Sequence, residues 1–234
     1  MGKTVQFGPF PLVIGTIITA DYLLNWENNP QPLPCDVVEL RADGFPDLPN
    51  WIGIGKQIER TGRPVIATLR LAKEGGKWLE EDAARWPLLE RAIQNLTSVD
   101  VELNSELAAR VGKKCVELGK ASIVSHHDFD KTPSFTEMED ILNRALKLGK
   151  IGKIAARADT EEDVAKLRKL LQQSWNGPIC VIGMGALGRE TRLTFPRAGS
   201  CFTYGYLDVP GAPGQYSAKE LSKSLKPKRG SREE

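Results

Sequence analysis

Lys153 stands inside the apolar run Gly152-Lys153-Ile154-Ala155-Ala156-Arg157-Ala158. An ammonium buried in such a run is costly unless it is paired or gives up its proton. A neutral lysine amine is a nucleophile towards carbonyls. Taken alone, the segment is more simply a strand-end lysine whose head reaches water. Other polar residues give it a second meaning. The chain's two histidines, His126 and His127, are adjacent, and two carboxylates, Glu39 and Glu74, and three guanidinium groups, Arg41, Arg70 and Arg192, recur beside apolar runs. Amine plus imidazole is the pair that carbonyl chemistry through an imine requires. The amine condenses with a ketone, the iminium acidifies the neighbouring carbon, and the imidazole moves the proton. Several arginines suit a substrate bearing a carboxylate or phosphate.

For these groups to meet, the chain must carry distant segments to one place. Short apolar runs at 12–18, 37–43, 64–70, 98–103, 121–129, around Lys153, at 178–184 and at 200–207 read as eight strands. Helical or loop segments separate them at fairly even spacing, and several runs are apolar on both faces, as strands covered by helices are. This is the pattern of a single-domain (β/α)8 barrel spanning 1–225, with a charged tail at 226–234 expected to be disordered. An open doubly wound sheet also alternates, but no G-x-G-x-x-G follows the first run. Ser134 to Glu137 forms a capping box, Thr160 caps the next helix, and Asn104 and Ser105 are capping residues for a helix ending near 118. Pro87 must kink a helix or start a fresh one, and a short helix at 189–195 is expected to end before Pro196.

In such a barrel the chemistry lies at the C-terminal ends of the strands. Those ends carry Glu39, Arg41 and Asp43; Arg70, with Glu74 in the following loop; His126, His127 and Asp128; Lys153 and Arg157; then Met184, Arg192 and Gln215. Adjacent strand residues point opposite ways, so at most one of the two histidines faces the axis and the other packs under a helix or caps a loop. Each item is weak alone: strand-end charges are usually a solvated rim, Met184 is simple core filler, and the glycines after strand seven serve a phosphate or a plain turn.

Composition sets outer bounds. The chain of 234 residues is 41% hydrophobic and 26% charged with a formal net charge of +2, which gives no argument for nucleic acid or an anionic membrane. No apolar run approaches a membrane span and no signal peptide is visible. Four scattered cysteines without a C-x-x-C pair read as buried hydrophobes in a reducing compartment, so a cytoplasmic location is expected.

The motifs VELRAD, ATLRLAKEGG, SHHDF, GKIA, GMGALGRETR and GAPGQ follow one another from the second strand to beyond the eighth. In this order the chain resembles type I 3-dehydroquinate dehydratase, from Leu12 to Tyr216. The resemblance implies dehydration of 3-dehydroquinate to 3-dehydroshikimate in the shikimate pathway, by syn elimination. By position, Lys153 matches the Schiff-base lysine and His127 the general acid/base. Glu74 matches the carboxylate that positions this histidine. Glu39, Arg41 and Arg70 match polar substrate contacts, Met184 an apolar wall beside the imine, and Arg192 and Gln215 the carboxylate clamp. It implies no metal and no cofactor, since the imine is the electron sink, and a homodimer. The chain departs from the family's SAPGQ lid motif, holding Gly211 where the serine stands. A class I aldolase or transaldolase shares the barrel lysine but gives no reason for HDF and GAPGQ together. A catalytically dead barrel that binds an anionic metabolite gives none for Lys153, His127 and Glu74.

Overall fold

A computed structural model of the chain describes residues 6–211 and 215–225. The eight strands are β1 (Leu12–Ile17), β2 (Val37–Arg41), β3 (Val65–Thr68), β4 (Ser98–Glu102), β5 (Ala121–Asp128), β6 (Ile151–Arg157), β7 (Ile179–Met184) and β8 (Phe202–Tyr206). They pair in parallel in the order β7-β6-β5-β4-β3-β2-β1-β8. Side-chain and backbone bonds draw the two ends together: Cys201 N donates to Ile179 O at 2.8 Å, and Ser200 Oγ accepts from Val181 N at 3.0 Å. The result is a nearly closed (β/α)8 barrel. The charged tail lies outside the described residues.

Alternation along each strand separates two cores. Val13, Val38, Ala67, Val99 and Val124 point outward to the helices. Ile14, Val37, Ile66, Ile123, Ile151, Cys180 and Phe202 point inward and fill the lower barrel. Phe7 and Phe10 seal this floor edge-on against Phe202, at 5.4 and 5.5 Å between ring centres. All four cysteines are buried thiols packed as small core residues. Among the described residues no helix is long and apolar enough to cross a membrane.

The helices are α1 (Ala20–Asn28), α2 (Trp51–Arg60), α3 (Trp86–Asn95), α4 (Ala108–Glu117), α5 (Phe135–Leu148), α6 (Glu161–Leu170), α7 (Gly188–Arg197) and α8 (Ala218–Leu225). Both capping boxes form, Ser134 with Glu137 and Thr160 with Asp163, each contributing about 1 kcal/mol. Pro87 opens α3 in its first turn, where its missing N–H costs nothing. Two boundaries differ from expectation. Helix α4 starts at Ala108 because Ser105 Oγ is taken up by Leu107 N, Arg85 and Asp82. Helix α7 runs through Pro196 to Arg197. Proline there leaves the carbonyl of Arg192 without its helical donor, and Thr203 Oγ1 from β8 donates to it at 2.8 Å.

Candidate active site

The upper layers of the barrel are polar. Inward positions on successive strands give Thr16, Glu39, Thr68, Asp100, Ser125 and Lys153, all buried. A cavity of about 150 Å³ opens above them and is lined by every residue assigned from the sequence: Lys153, His127, Glu74, Glu39, Arg41, Arg70, Met184, Arg192 and Gln215. Lys153 sits at the sixth strand, 4% exposed, with Nζ 3.1 Å from Asp100 Oδ2. The amine is thus set against a buried carboxylate across the barrel. Nζ also lies over the Tyr204 ring, 4.3 Å from its centre.

His127 points inward from the end of β5, as alternation requires of one of the pair. His126 lies on the other face, in a groove under α5 with Ile141 and Arg144. The imidazole Nδ1 of His127 stands 2.9 Å from Glu74 Oε2, and its backbone N–H donates to the same oxygen at 3.0 Å. Burial first, then the cations Arg70, Lys153 and Arg41, hold this imidazole well below its usual value. A neutral imidazole held this way can donate Nδ1–H to Glu74 and offer Nε2 as a proton acceptor. Glu74 is pushed up to about 7, first by burial and further by Glu102 and Asp100, against the pull of Arg70. Gly75, next in the chain, has φ +77°, and a Cβ there would meet the Phe129 ring at 2.3 Å. Phe129 thus folds over the turn and stacks on His127, at 6.4 Å and 18°.

The arginines differ in what they already hold. Arg41 forks onto Asp43 at 2.9 and 2.8 Å. Arg70 is spent on Asp100 at 2.7 Å, Glu102 at 3.0 Å and Ser125 at 2.8 Å. Arg192, from α7, donates to the backbone carbonyl of Tyr204 at 2.9 Å and has no carboxylate partner among the described residues. Burial pulls its guanidinium down to about 10. A half-buried cation lacking an anion is a seat for a ligand carboxylate. Gln215 reaches the cavity from the last loop, and its Oε1 accepts from Gly211 N at 2.8 Å. Residues 212–214 of the GAPGQ motif lie outside the described residues. A Cβ on Gly211 would stand 3.2 Å from Ile18 Cδ1, so the serine of related lids would crowd this wall. The glycines after β7 serve packing: a Cβ on Gly188 would stand 2.5 Å from Gly183, so α7 presses on β7 there.

Several groups lie outside the sequence reading. Asp100 and Glu102 share the inward face of β4, which the same alternation marks. Burial opposes the charge of Asp100, yet Arg70, Lys153 and Ser125 together hold it down at about 2. Glu39 accepts from Thr16 and Thr68 hydroxyls at 3.0 and 2.9 Å, so it is anchored across three strands. Arg85, which bonds Glu102 and the Leu69 carbonyl, carries no local signal at all.

The family model described as Type I 3-dehydroquinase matches residues 20–231. A 3-dehydroquinate dehydratase from Methanocella arvoryzae is 37% identical over 196 residues, covering 83% of this chain and 88% of the relative. The crystal structure of 3-dehydroquinate dehydratase from Geobacillus kaustophilus superposes with a TM-score of 0.80 at 27% identity, over 93% of this chain and 91% of that one. A type I enzyme from Clostridium difficile, described with covalent modified comenic acid, also gives 0.80 at 27% identity, over 93% and 92%.

Proposed function

The chain belongs to the type I 3-dehydroquinase family, and we propose that it works through an imine between Lys153 and its substrate. It is a hydro-lyase with 3-dehydroquinate dehydratase activity, a step of the shikimate pathway. The observation that carries the imine reading is the shared cavity of Lys153 and His127, with the imidazole already turned by Glu74. In this reading the Lys153 amine condenses with the C3 ketone and water leaves. Nε2 of His127 then takes a proton from C2, giving an enamine, and returns it to the departing C1 hydroxyl on the same face. Hydrolysis of the conjugated imine frees 3-dehydroshikimate and the amine. Glu74 keeps the imidazole in the right tautomer, and Arg192 with Gln215 holds the substrate carboxylate. Glu39, Arg41 and Arg70 line the hydroxyl-bearing face, and Met184 supplies an apolar wall. The imine is the electron sink, so these steps call on no cofactor and no metal. The same proposal takes the protein as a cytoplasmic homodimer.

Borohydride added during turnover of 3-dehydroquinate tests the mechanism. The expected result is one reduced adduct on the peptide containing Lys153, alongside rising absorbance of the conjugated enoate product. Product formation without any adduct would remove the imine while leaving the dehydratase activity in place.

A further inference from the structure

Tyr204 is 5% exposed and its hydroxyl has no hydrogen-bond partner among the described residues. Buried phenols almost always find one, so an orphan beside a reactive group marks a place kept for something that comes and goes. The residue projects inward from β8 and lines the same cavity as Lys153 and His127. Its ring carries the Lys153 amine on its face, 4.3 Å from the centre. The ring is rigid, so the para hydroxyl lies to one side of Nζ. An oxygen on the carbon that bonds to Nζ is two bonds from the nitrogen, and with the amine 4.3 Å above the ring centre it can be turned towards that hydroxyl. Burial first, then Cys180 and the carboxylates Glu39 and Asp100, raise the phenol well above its ordinary value, so it stays a donor.

We propose that the Tyr204 hydroxyl is a further catalytic group, which donates a hydrogen bond to the carbonyl oxygen as the imine forms and to the water that later hydrolyses it. The inference rests on the imine reading. The Lys153 ammonium first passes one proton to Nε2 of His127; Nζ then bonds to the ketone carbon with the freed lone pair, the C–O π pair moves onto oxygen, and His127 returns the proton to that oxygen. That oxygen then leaves as water while the nitrogen lone pair makes the C=N bond. Counted from the ammonium, two of its three protons depart with the oxygen and one stays on the iminium, so charge and atoms balance. Tyr204 keeps its own proton and stabilises the oxygen while charge builds on it, as fixed donors do in acyl transfer.

Tyr204→Phe keeps the ring under Lys153 and removes only the orphan hydroxyl. Rapid mixing with 3-dehydroquinate, borohydride quench at increasing times and mass spectrometry read the rate of adduct formation. The variant is expected to form the adduct about 10- to 100-fold more slowly than wild type. Its melting temperature should equal or exceed that of wild type, because an unsatisfied buried polar atom has been removed. Equal adduct rates in both proteins would overturn this inference and leave the imine mechanism standing. A slower rate accompanied by a lower melting temperature would also overturn it, and would make Tyr204 the holder of a structural water. Wild-type protein that gives no adduct would remove the imine mechanism itself, and this inference with it.

Discussion

Glu74 and His127 show how a single pair of side chains sets both reactivity and stability. The carboxyl is driven from 4.5 up to about 7, first by burial, and burial also drives the imidazole down, so below about 7 the native site favours a protonated Glu74 beside a neutral His127. The sign of the linkage follows. Between pH 4.5 and 7 the folded chain holds a proton on Glu74 that the unfolded chain has released. The stability this gives is complete below 4.5 and is lost as pH rises through 7, a difference on the order of 3 kcal/mol. Glu74→Gln removes that slope. Melting curves of variant and wild type at pH 5 and pH 8 should show the variant gaining relative stability at the higher pH, by roughly 2–4 °C for each kcal/mol. A gap that does not change with pH would mean that Glu74 titrates alike in both states.

The seam between α7 and β8 is where element packing meets ligand binding. Pro196 sits inside α7 and strips the Arg192 carbonyl of its donor; Thr203 replaces it from β8. Arg192 in turn donates to the Tyr204 carbonyl. The helix is thus tied to the strand at the residue proposed to hold the substrate carboxylate. Thr203→Val leaves a buried carbonyl unsatisfied and should cost about 1–3 kcal/mol in chemical unfolding. Because the backbone of Arg192 loses its tie to β8 and only the guanidinium bond to Tyr204 remains, KM should rise more than kcat falls. An unchanged KM would separate this seam from substrate binding. The capping boxes at Ser134 and Thr160 were legible because both partners lie within one turn. Helix α7 was not, since a helix tolerates proline only when a residue from another element supplies what it removes.

Across the whole barrel, one buried charge network joins the site to its frame. Lys153 pairs with Asp100, Asp100 and Glu102 pair with Arg70, and Glu102 pairs with Arg85, which also holds Asp82. Arg85 is 0% exposed, so none of its charge reaches water. Arg85→Met leaves Asp82 and one oxygen of Glu102 without their cation, and should cost about 3–5 kcal/mol, read from the urea midpoint at constant slope. A loss below about 1 kcal/mol would show that the well-packed methionine compensates for the missing pair.

The residues alone determined the barrel and the strand on or after which each group stands, and left open which of His126 and His127 faces the axis. Strand alternation and helix capping are local, and a motif carries its own spacing wherever it folds. Partnership is not local. That Asp100 meets Lys153 across 53 positions, and that among the described residues Arg192 has no carboxylate partner and the Tyr204 hydroxyl no hydrogen-bond partner, were decided by the packing of segments distant in the chain. Each depends on which side chain a neighbouring strand presents at the same height. Only the closed sheet settles that, because a shift of one residue would turn every one of these groups to the opposite face.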